Sequence, residues 1–214
     1  HVTVSGNRSF DLMHQLSGRI RAGLARLSDA FRERHARFVA RLQLEDGAWA
    51  GRQGGADLYY TSFGLRALDA LGWEDPAPWR GAARYLGSCA PRDVVECAAF
   101  LESRGLAARR GGLPADAGAA ACEELLLRCR VRAGFARHPG GPASTYVTFL
   151  GWLCHAHLGR LMDGVDEVAT EIASRQGEDG GFRDSQEAGP SGVNPTAAGL
   201  ATLQGLGALD AAAA

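Results

Sequence analysis

The sequence predicts an all-α protein assembled from stacked helical hairpins. Three observations carry that prediction. A Gly-aromatic turn recurs along the chain, each copy is followed by a helix with a polar start and a Leu-Gly exit, and no alternating apolar–polar run is long enough to make a useful strand. The first copy runs Gln43-Leu-Glu-Asp-Gly-Ala-Trp49, continues as Asp57-Leu-Tyr-Tyr-Thr-Ser-Phe-Gly-Leu65 and closes at Leu71-Gly72. The second runs Arg130-Val-Arg-Ala-Gly-Phe135, then Ser144-Thr-Tyr-Val-Thr-Phe-Leu150, and closes at Leu158-Gly159. The third runs Gln176-Gly-Glu-Asp-Gly-Gly-Phe182, then Asn194-Pro-Thr-Ala-Ala-Gly-Leu200, and closes at Leu206-Gly207.

The spacings make these copies a repeat. Gly134 and Gly181 are 47 residues apart, while Gly47 and Gly134 are 87 apart, close to two periods. A fourth, eroded copy is therefore expected between Trp79 and Gly105. It has Tyr85-Leu-Gly as a helix end and Asp93-Val-Val-Glu-Cys-Ala-Ala-Phe100 as the next helix start, without the Gly-aromatic turn. Each unit reads as helix, Gly-rich turn, loop and helix. The segment before the first turn has helical spacing in Phe31, His35, Phe38, Val39 and Leu42. Glycine at the turn permits positive φ, so Gly181 is expected to be less replaceable than Gly112. The aromatic behind it packs back on the hairpin. Asp57, Ser144 and Asn194 are expected N-caps, with Pro195 in the first turn that follows.

The expected helices are 11–43, 58–71, 78–88, 93–104, 116–130, 144–159, 165–176 and 195–207, the first with a break near Gly23 or Ser28. Residues 105–118 read as a Gly/Pro/Arg linker. The organisation expected is one domain over 1–214, with an N-terminal helix over 11–37 and repeats over about 38–207.

Composition narrows the function classes. Of the 214 residues, 46% are hydrophobic and 22% charged, an ordinary globular balance. The formal charge is -1, so no global field recruits nucleic acid or an anionic membrane. All 23 basic residues are Arg, the composition of a GC-rich, bacterial genome. Five cysteines (Cys89, Cys97, Cys122, Cys129, Cys154) are odd in number and form no CxxC pair, which fits a reduced, cytoplasmic protein better than a disulfide scaffold. No apolar run reaches the length of a membrane span. The chain begins at His1, so its natural start is not read from it.

The repeat Gln-x-x-Asp-Gly-Gly-Phe followed by a polar or Tyr-Thr helix start resembles that of the prenyltransferase and squalene-cyclase (squalene-oxidase) repeat family. The third copy matches with Gln176, Asp179, Gly180, Gly181 and Phe182, and the first with Gln43, Asp46, Gly47, Trp49, Asp57, Tyr59 and Thr61. The resemblance implies an α/α toroid of about four hairpins, incomplete or small, with inner helices around an apolar centre.

The family's chemistries do not carry over residue by residue. Protein prenyltransferases hold zinc with an Asp-x-Cys-Tyr and a His-Thr pattern; here Ala143-Ser144-Thr145-Tyr146 and Tyr60-Thr61 stand in those places, so no metal and no cofactor is expected. Terpene cyclases use an Asp-x-Asp-Asp acid; the nearest strings, Asp163-Gly-Val-Asp-Glu167 and Asp93-Val-Val-Glu96, lack it. The thioester Cys-Gly-Glu-Gln string is missing too. The resemblance implies instead a toroid that binds an isoprenoid or other apolar ligand. Candidate lining residues are Asp57, Tyr59, Tyr60, Phe63, Tyr146, Phe149, Trp152 and Asn194, the rings among them offering π faces to a cation. Ordinary core packing is the competing reading of those rings. The alternatives are an active prenyl-transfer or cyclisation enzyme that uses other residues, or a non-catalytic interaction module.

Two further clusters have competing readings. Cys154 and His157 share a helix face at a spacing that suits two ligands of a soft metal, or a core cysteine with a rim histidine. Arg137-His138-Pro-Gly-Gly141 suits a diphosphate or a solvated turn, and Arg52, Arg109, Arg110 and Arg183 read as surface. The N-terminal helix leaves an apolar stripe of Leu16, Ile20, Leu24 and Leu27, expected to fold over one open flank of the stack. The uncharged last helix, with Leu200, is expected to meet a second copy or a partner subunit.

Overall fold

The computed structural model describes residues 8–209, with side chains from residue 15 onward. Over that range the protein is all-α. Its helices are α1 (Arg8–Leu24), α2 (Asp29–Arg41), α3 (Leu58–Ala70), α4 (Pro76–Gly87), α5 (Val94–Gly111), α6 (Ala119–Cys129), α7 (Thr145–His157), α8 (Val165–Ala173) and α9 (Val193–Leu206). The strands among the described residues are two antiparallel pairs of two-residue segments, β1 (Trp49–Ala50) with β2 (Ala56–Asp57) and β3 (Arg130–Val131) with β4 (Gly134–Phe135). Both lie in the Gly-aromatic turns.

One device recurs in all three turns. The turn aromatic is buried, and its backbone N–H donates to a threonine hydroxyl on the following helix. Trp49 donates to Thr61 Oγ1 at 3.0 Å, Phe135 to Thr148 Oγ1 at 3.0 Å and Phe182 to Thr196 Oγ1 at 2.8 Å. Three residues beyond each threonine stands a glycine on which the ring lies. A Cβ on Gly64 would come within 2.5 Å of the Trp49 ring, one on Gly151 within 2.4 Å of Phe135, and one on Gly199 within 2.8 Å of Phe182. The helix before the turn is tied in as well. Gln43 Nε2 donates to Gly47 O at 2.8 Å and Gln176 Nε2 to Gly180 O at 3.1 Å. In the second turn the Arg130 guanidinium does the same to Gly134 O at 2.7 Å.

The helices after the turns end alike. Gly72, Gly159 and Gly207 have φ of 72°, 66° and 73°. The next residue in each case donates back across the last turn, Trp73 N to Leu68 O, Arg160 N to His155 O and Ala208 N to Leu203 O. Each closing glycine lies eleven residues after its threonine. A left-handed residue closed by such a bond stops a helix and satisfies its last carbonyls.

The eroded copy departs from this plan in a definite way. Asp93 caps α5, its Oδ1 accepting from Glu96 N at 2.8 Å. Counting from that cap, Cys97 stands where the threonine stands elsewhere, and Phe100 where the glycine does. No turn aromatic precedes this helix to need the glycine's space, and Phe100 is itself fully buried. With no closing glycine at the usual distance, α5 runs on to Gly111, and the left-handed stop falls at Gly112 (φ 77°).

Several sequence expectations are corrected. The linker expected over 105–118 is helical as far as Gly111. The break expected near Gly23 or Ser28 is found between α1 and α2, where Ser28 caps α2 by accepting from Phe31 N at 3.3 Å. Asn194 is not an N-cap: the cap of α9 is Gly192, and Asn194 is exposed in the first turn. The Thr196 bond fixes that register, because the cap precedes the threonine by four residues here as at Asp57 and Ser144. Positive φ falls on Gly180 (77°) rather than Gly181, whose Cβ would instead lie 2.7 Å from Ser191 Cβ. The stripe stays half exposed, with Leu16 and Ile20 on α1 47% and 44% accessible and Leu27, beyond its end, 40% accessible.

The chain divides into two compact units. One holds residues 14–91 and 99–122, and thus α2, α3, α4 and the first turn; the other holds 92–98 and the described residues from 123, and thus α7, α8, α9 and the other two turns. In the second unit α7 packs on α9 and α8 on α9. There the indole of Trp152 lies where a Cβ on Gly205 would come within 2.0 Å. A buried arginine braces the same unit: Arg175 is 2% exposed and donates to Thr145 Oγ1 at 3.1 Å, Asp184 O at 2.9 Å and Glu171 Oε1 at 3.0 Å.

If the threonine–glycine pair organises each turn, then Thr148→Val and Gly151→Ala are both costly. Orphaning the buried Phe135 N–H costs about 1–3 kcal/mol, and forcing a Cβ into its ring costs about 1–3 kcal/mol or more. Thr148→Ser keeps the hydroxyl and is expected to recover most of the first loss. Urea denaturation of the three variants checks this.

Candidate functional site

The candidate aromatic residues fall into two groups, one in each unit. In the first unit Tyr59, Tyr60 and Phe63 share the outer side of α3. Two positions fix why they are there. Asp57 caps the helix by accepting from Tyr60 N at 3.0 Å. Thr61 is committed to the turn, and its hydroxyl donates to Asp57 O at 2.7 Å. With Thr61, Gly64, Leu65 and Leu68 turned to the core, Tyr59 and Phe63 turn outward and are 37% and 43% exposed.

The rings form a connected cluster. Tyr59 and Phe63 have centroids 4.7 Å apart with ring planes at 83°, and Tyr60 stands 6.1 Å from Tyr59 and 6.4 Å from Phe63. Edge-to-face pairing of this kind holds aromatic side chains in place even where they are part-exposed. Two arginines border it. Arg52 Nε donates to Tyr60 Oη at 2.9 Å, and the Arg66 guanidinium lies 5.9 Å from the Phe63 centroid. Arg66 also pairs with Glu102 on α5, Nε to Oε1 at 3.2 Å. Burial pushes the Glu102 carboxyl above the usual range, and the Arg66 charge pulls it partly back. The cluster thus presents apolar ring surface with cationic borders.

The second group is more enclosed. Trp152 is 5% exposed and its ring stands 6.0 Å from Phe149. Tyr146 N donates to Asp184 Oδ1 at 3.0 Å, and Ser144, the cap of α7, donates its hydroxyl to the same oxygen at 2.8 Å. Asn194 belongs to neither ring cluster.

The remaining candidates have definite places. Cys154 is buried, while His155 Nδ1 lies 2.9 Å from Gly151 O and its ring stands 5.6 Å from that of Phe135. Among the described residues no group of three or more His, Cys, Asp or Glu is arranged to hold a metal ion. Asp93 is 4% exposed; its Oδ2 accepts from Arg137 Nε at 2.7 Å, while Oδ1 caps α5. Arg137 thus keeps a solvent-exposed side chain while pairing with a buried carboxylate, and Asp93 has a structural assignment. Arg110 is likewise engaged: it donates to Trp73 O at 3.2 Å, lies 3.5 Å from Asp69 and sits over the Trp79 ring at 5.0 Å. Among the described residues no helix is long and apolar enough to cross a membrane.

Compared with known proteins, the chain matches no family model and no curated sequence.

Turn and cap signals alone do not reveal the threonine–glycine spacing or the use of Arg130 in place of glutamine. Thr61-x-x-Gly64, Thr148-x-x-Gly151 and Thr196-x-x-Gly199 were there to find once the copies were aligned on the threonine rather than the cap.

Glu102 gives a pH test of the site's electrostatics. Its folded pKa is raised, so the folded protein holds this proton more tightly than the unfolded chain does. Stability therefore rises as pH falls through the raised value and is penalised above it. Glu102→Gln is expected to be the more stable protein at pH 7 and to converge with wild type near the ordinary glutamate pKa of about 4.3. Thermal melts across that range check the convergence.

Proposed function

We propose that this chain is a helical-hairpin repeat protein of the prenyltransferase and squalene-cyclase kind, arranged as an α/α toroid, that binds an isoprenoid or other apolar chain. The observation that carries the reading is the Tyr59–Tyr60–Phe63 cluster. Three adjoining rings on one helix, two of them more than a third exposed, offer the apolar and π surface that a branched polyene needs. Arg52 and Arg66 at the borders suit an anionic end group. The loss of the family's catalytic motifs favours binding over the family's known chemistries, with an enzyme that uses other residues as the alternative. The positions of the family's zinc ligands carry Ala143, Thr145 and Tyr60, and Asp93, in one of the two nearest acid strings, is occupied as a cap and ion-pair partner.

A second reading, contact with another protein, is favoured by α9. The helix has no charged residue, and Val193 and Leu200 on its outer face are 86% and 42% exposed.

Calorimetric titration with farnesol and with farnesyl diphosphate tests the first reading. Wild type is expected to bind at least one of them, and Tyr59→Ala combined with Phe63→Ala to weaken binding about tenfold or more, as loss of paired aromatic anchors does. A folded wild type that binds neither overturns it. The second reading predicts self-association or a partner complex that Leu200→Glu dissolves, seen by light scattering as a fall in mass.

A further inference from the structure

We propose that the outward face of α2, together with the groove beside it, is a docking surface for an anionic lipid bilayer. The inference is independent of the ring cluster on α3. It starts from how the charge is distributed along the chain. Residues 15–42 carry seven arginines against two acidic residues, in a protein of net charge -1. Both acids are used within α2, Asp29 by Arg32 and Glu33 by Arg37. A strongly basic segment is thus set into a chain whose remainder is acidic.

The helix sorts its residues into two outward rows. At about 100° per residue, Phe31, Phe38 and Leu42 fall within about 40° of one another around the axis. They are 38%, 62% and 52% exposed. Arg34, Arg37 and Arg41 make the adjoining row, and Ala36 on the opposite side is buried. The arginine row leads into a groove of about 340 Å³ that Arg37 and Arg41 line with Arg84 and Trp73. Gln43 fixes its floor, its Nε2 donating both to Gly47 O and to Pro78 O at 2.8 Å. Asp75, the acidic member of the lining, accepts from Ala77 N at 2.9 Å as the cap of α4. Arg41 and Arg84 have no carboxylate partner among the described residues. The enclosed Trp73 Nε1–H has no acceptor there either.

Charge and shape choose the occupant. Unneutralised guanidinium groups beside a row of phenylalanine and leucine are the composition of a helix that lies in a lipid interface. Phe31, Phe38 and Leu42 lie beside these guanidinium groups, so apolar insertion and attraction to anionic headgroups would act on the same face. The groove beside it is sized and charged for a phosphate headgroup, and arginine binds phosphate with two donors at once. Each arginine near an anionic surface adds to the attraction, and salt weakens it.

Co-sedimentation of the full chain with phosphatidylcholine vesicles, with and without phosphatidylglycerol, tests this. Wild type is expected to bind only the anionic vesicles, and less as salt is raised. Arg41→Glu with Arg84→Glu is expected to weaken binding about tenfold or more, and Phe38→Asp to weaken it too. Leu161→Asp, at an exposed leucine in the other unit (68% accessible), is expected to change nothing. Circular dichroism showing native helix content in each variant keeps the comparison valid. Failure of wild type to bind anionic vesicles at low salt overturns the proposal, as does equal binding by the arginine double variant. Titration with inorganic phosphate that saturates the groove while vesicles stay unbound makes it a pocket for free anions, and the proposal falls. A dimer that Phe38→Asp turns into a monomer makes the face a self-association surface, with the same result.

Discussion

A buried backbone N–H bonded to a threonine hydroxyl is the constraint on which the repeats depend. The turn that joins two helices leaves polar groups inside, and an orphaned N–H there costs as much as a sizeable part of a domain's net stability. Thr61, Thr148 and Thr196 each supply the missing acceptor from the next helix. The bond also sets that helix's register, because the threonine must reach the turn from one position only. From that register the rest follows: the glycine one turn on lies under the ring, the cap lies one turn before, and the left-handed glycine closes the helix eleven residues later. Sequence, turn and packing are thereby locked to one another.

The variations obey the same logic. In the second turn Arg130 takes the glutamine's place, because what the turn needs is a long side chain with an N–H to reach the Gly134 carbonyl. Arg130 can reach further, and a second nitrogen holds Asp163 O at 2.8 Å, tying the start of α8 to the turn. In the eroded copy the ring has moved from the turn to the helix, as Phe100, and the glycine is no longer required. Asp93, freed from any turn, caps α5 and holds Arg137.

How much of this was legible depended on whether a signal was local. The helices that follow the turns could be placed from caps and Leu-Gly exits, since both are satisfied within one helix. The period could be found from glycines alone. Asn194 misled because asparagine is a good cap in isolation, whereas the cap of α9 is set by Thr196 and its bond to a residue fourteen positions earlier. The end of α5 misled for a related reason: Gly105 and the arginines look like a linker, yet Arg110 gains Asp69, Trp73 and Trp79 by continuing the helix. The candidate rings were identifiable as rings, but the division between exposed Phe63 and buried Trp152 is a tertiary fact.

Aligning the copies on the threonine separates what the fold demands from what it leaves free. Two positions beyond it stand Phe63, Leu150 and Ala198. Leu150 and Ala198 are 8% and 3% exposed, so at this position the repeat packs a side chain of modest size against its neighbours. Phe63 breaks that pattern with a large ring that is 43% exposed. One position before the threonine the copies carry Tyr60, Val147 and Pro195, and again only the first copy has an aromatic ring. Burial of apolar surface is what makes a phenylalanine stabilising, and a ring left 43% exposed gains less of that than a buried one. The first copy therefore places two aromatic residues where the other copies use smaller apolar ones, and leaves Phe63 of the two substantially exposed. Neither the turn bond nor the helix exit calls for them. A ligand's apolar surface would supply the burial that the fold does not, and it is this mismatch between ring size and burial, rather than the presence of aromatics as such, that singles out α3 among the repeated helices.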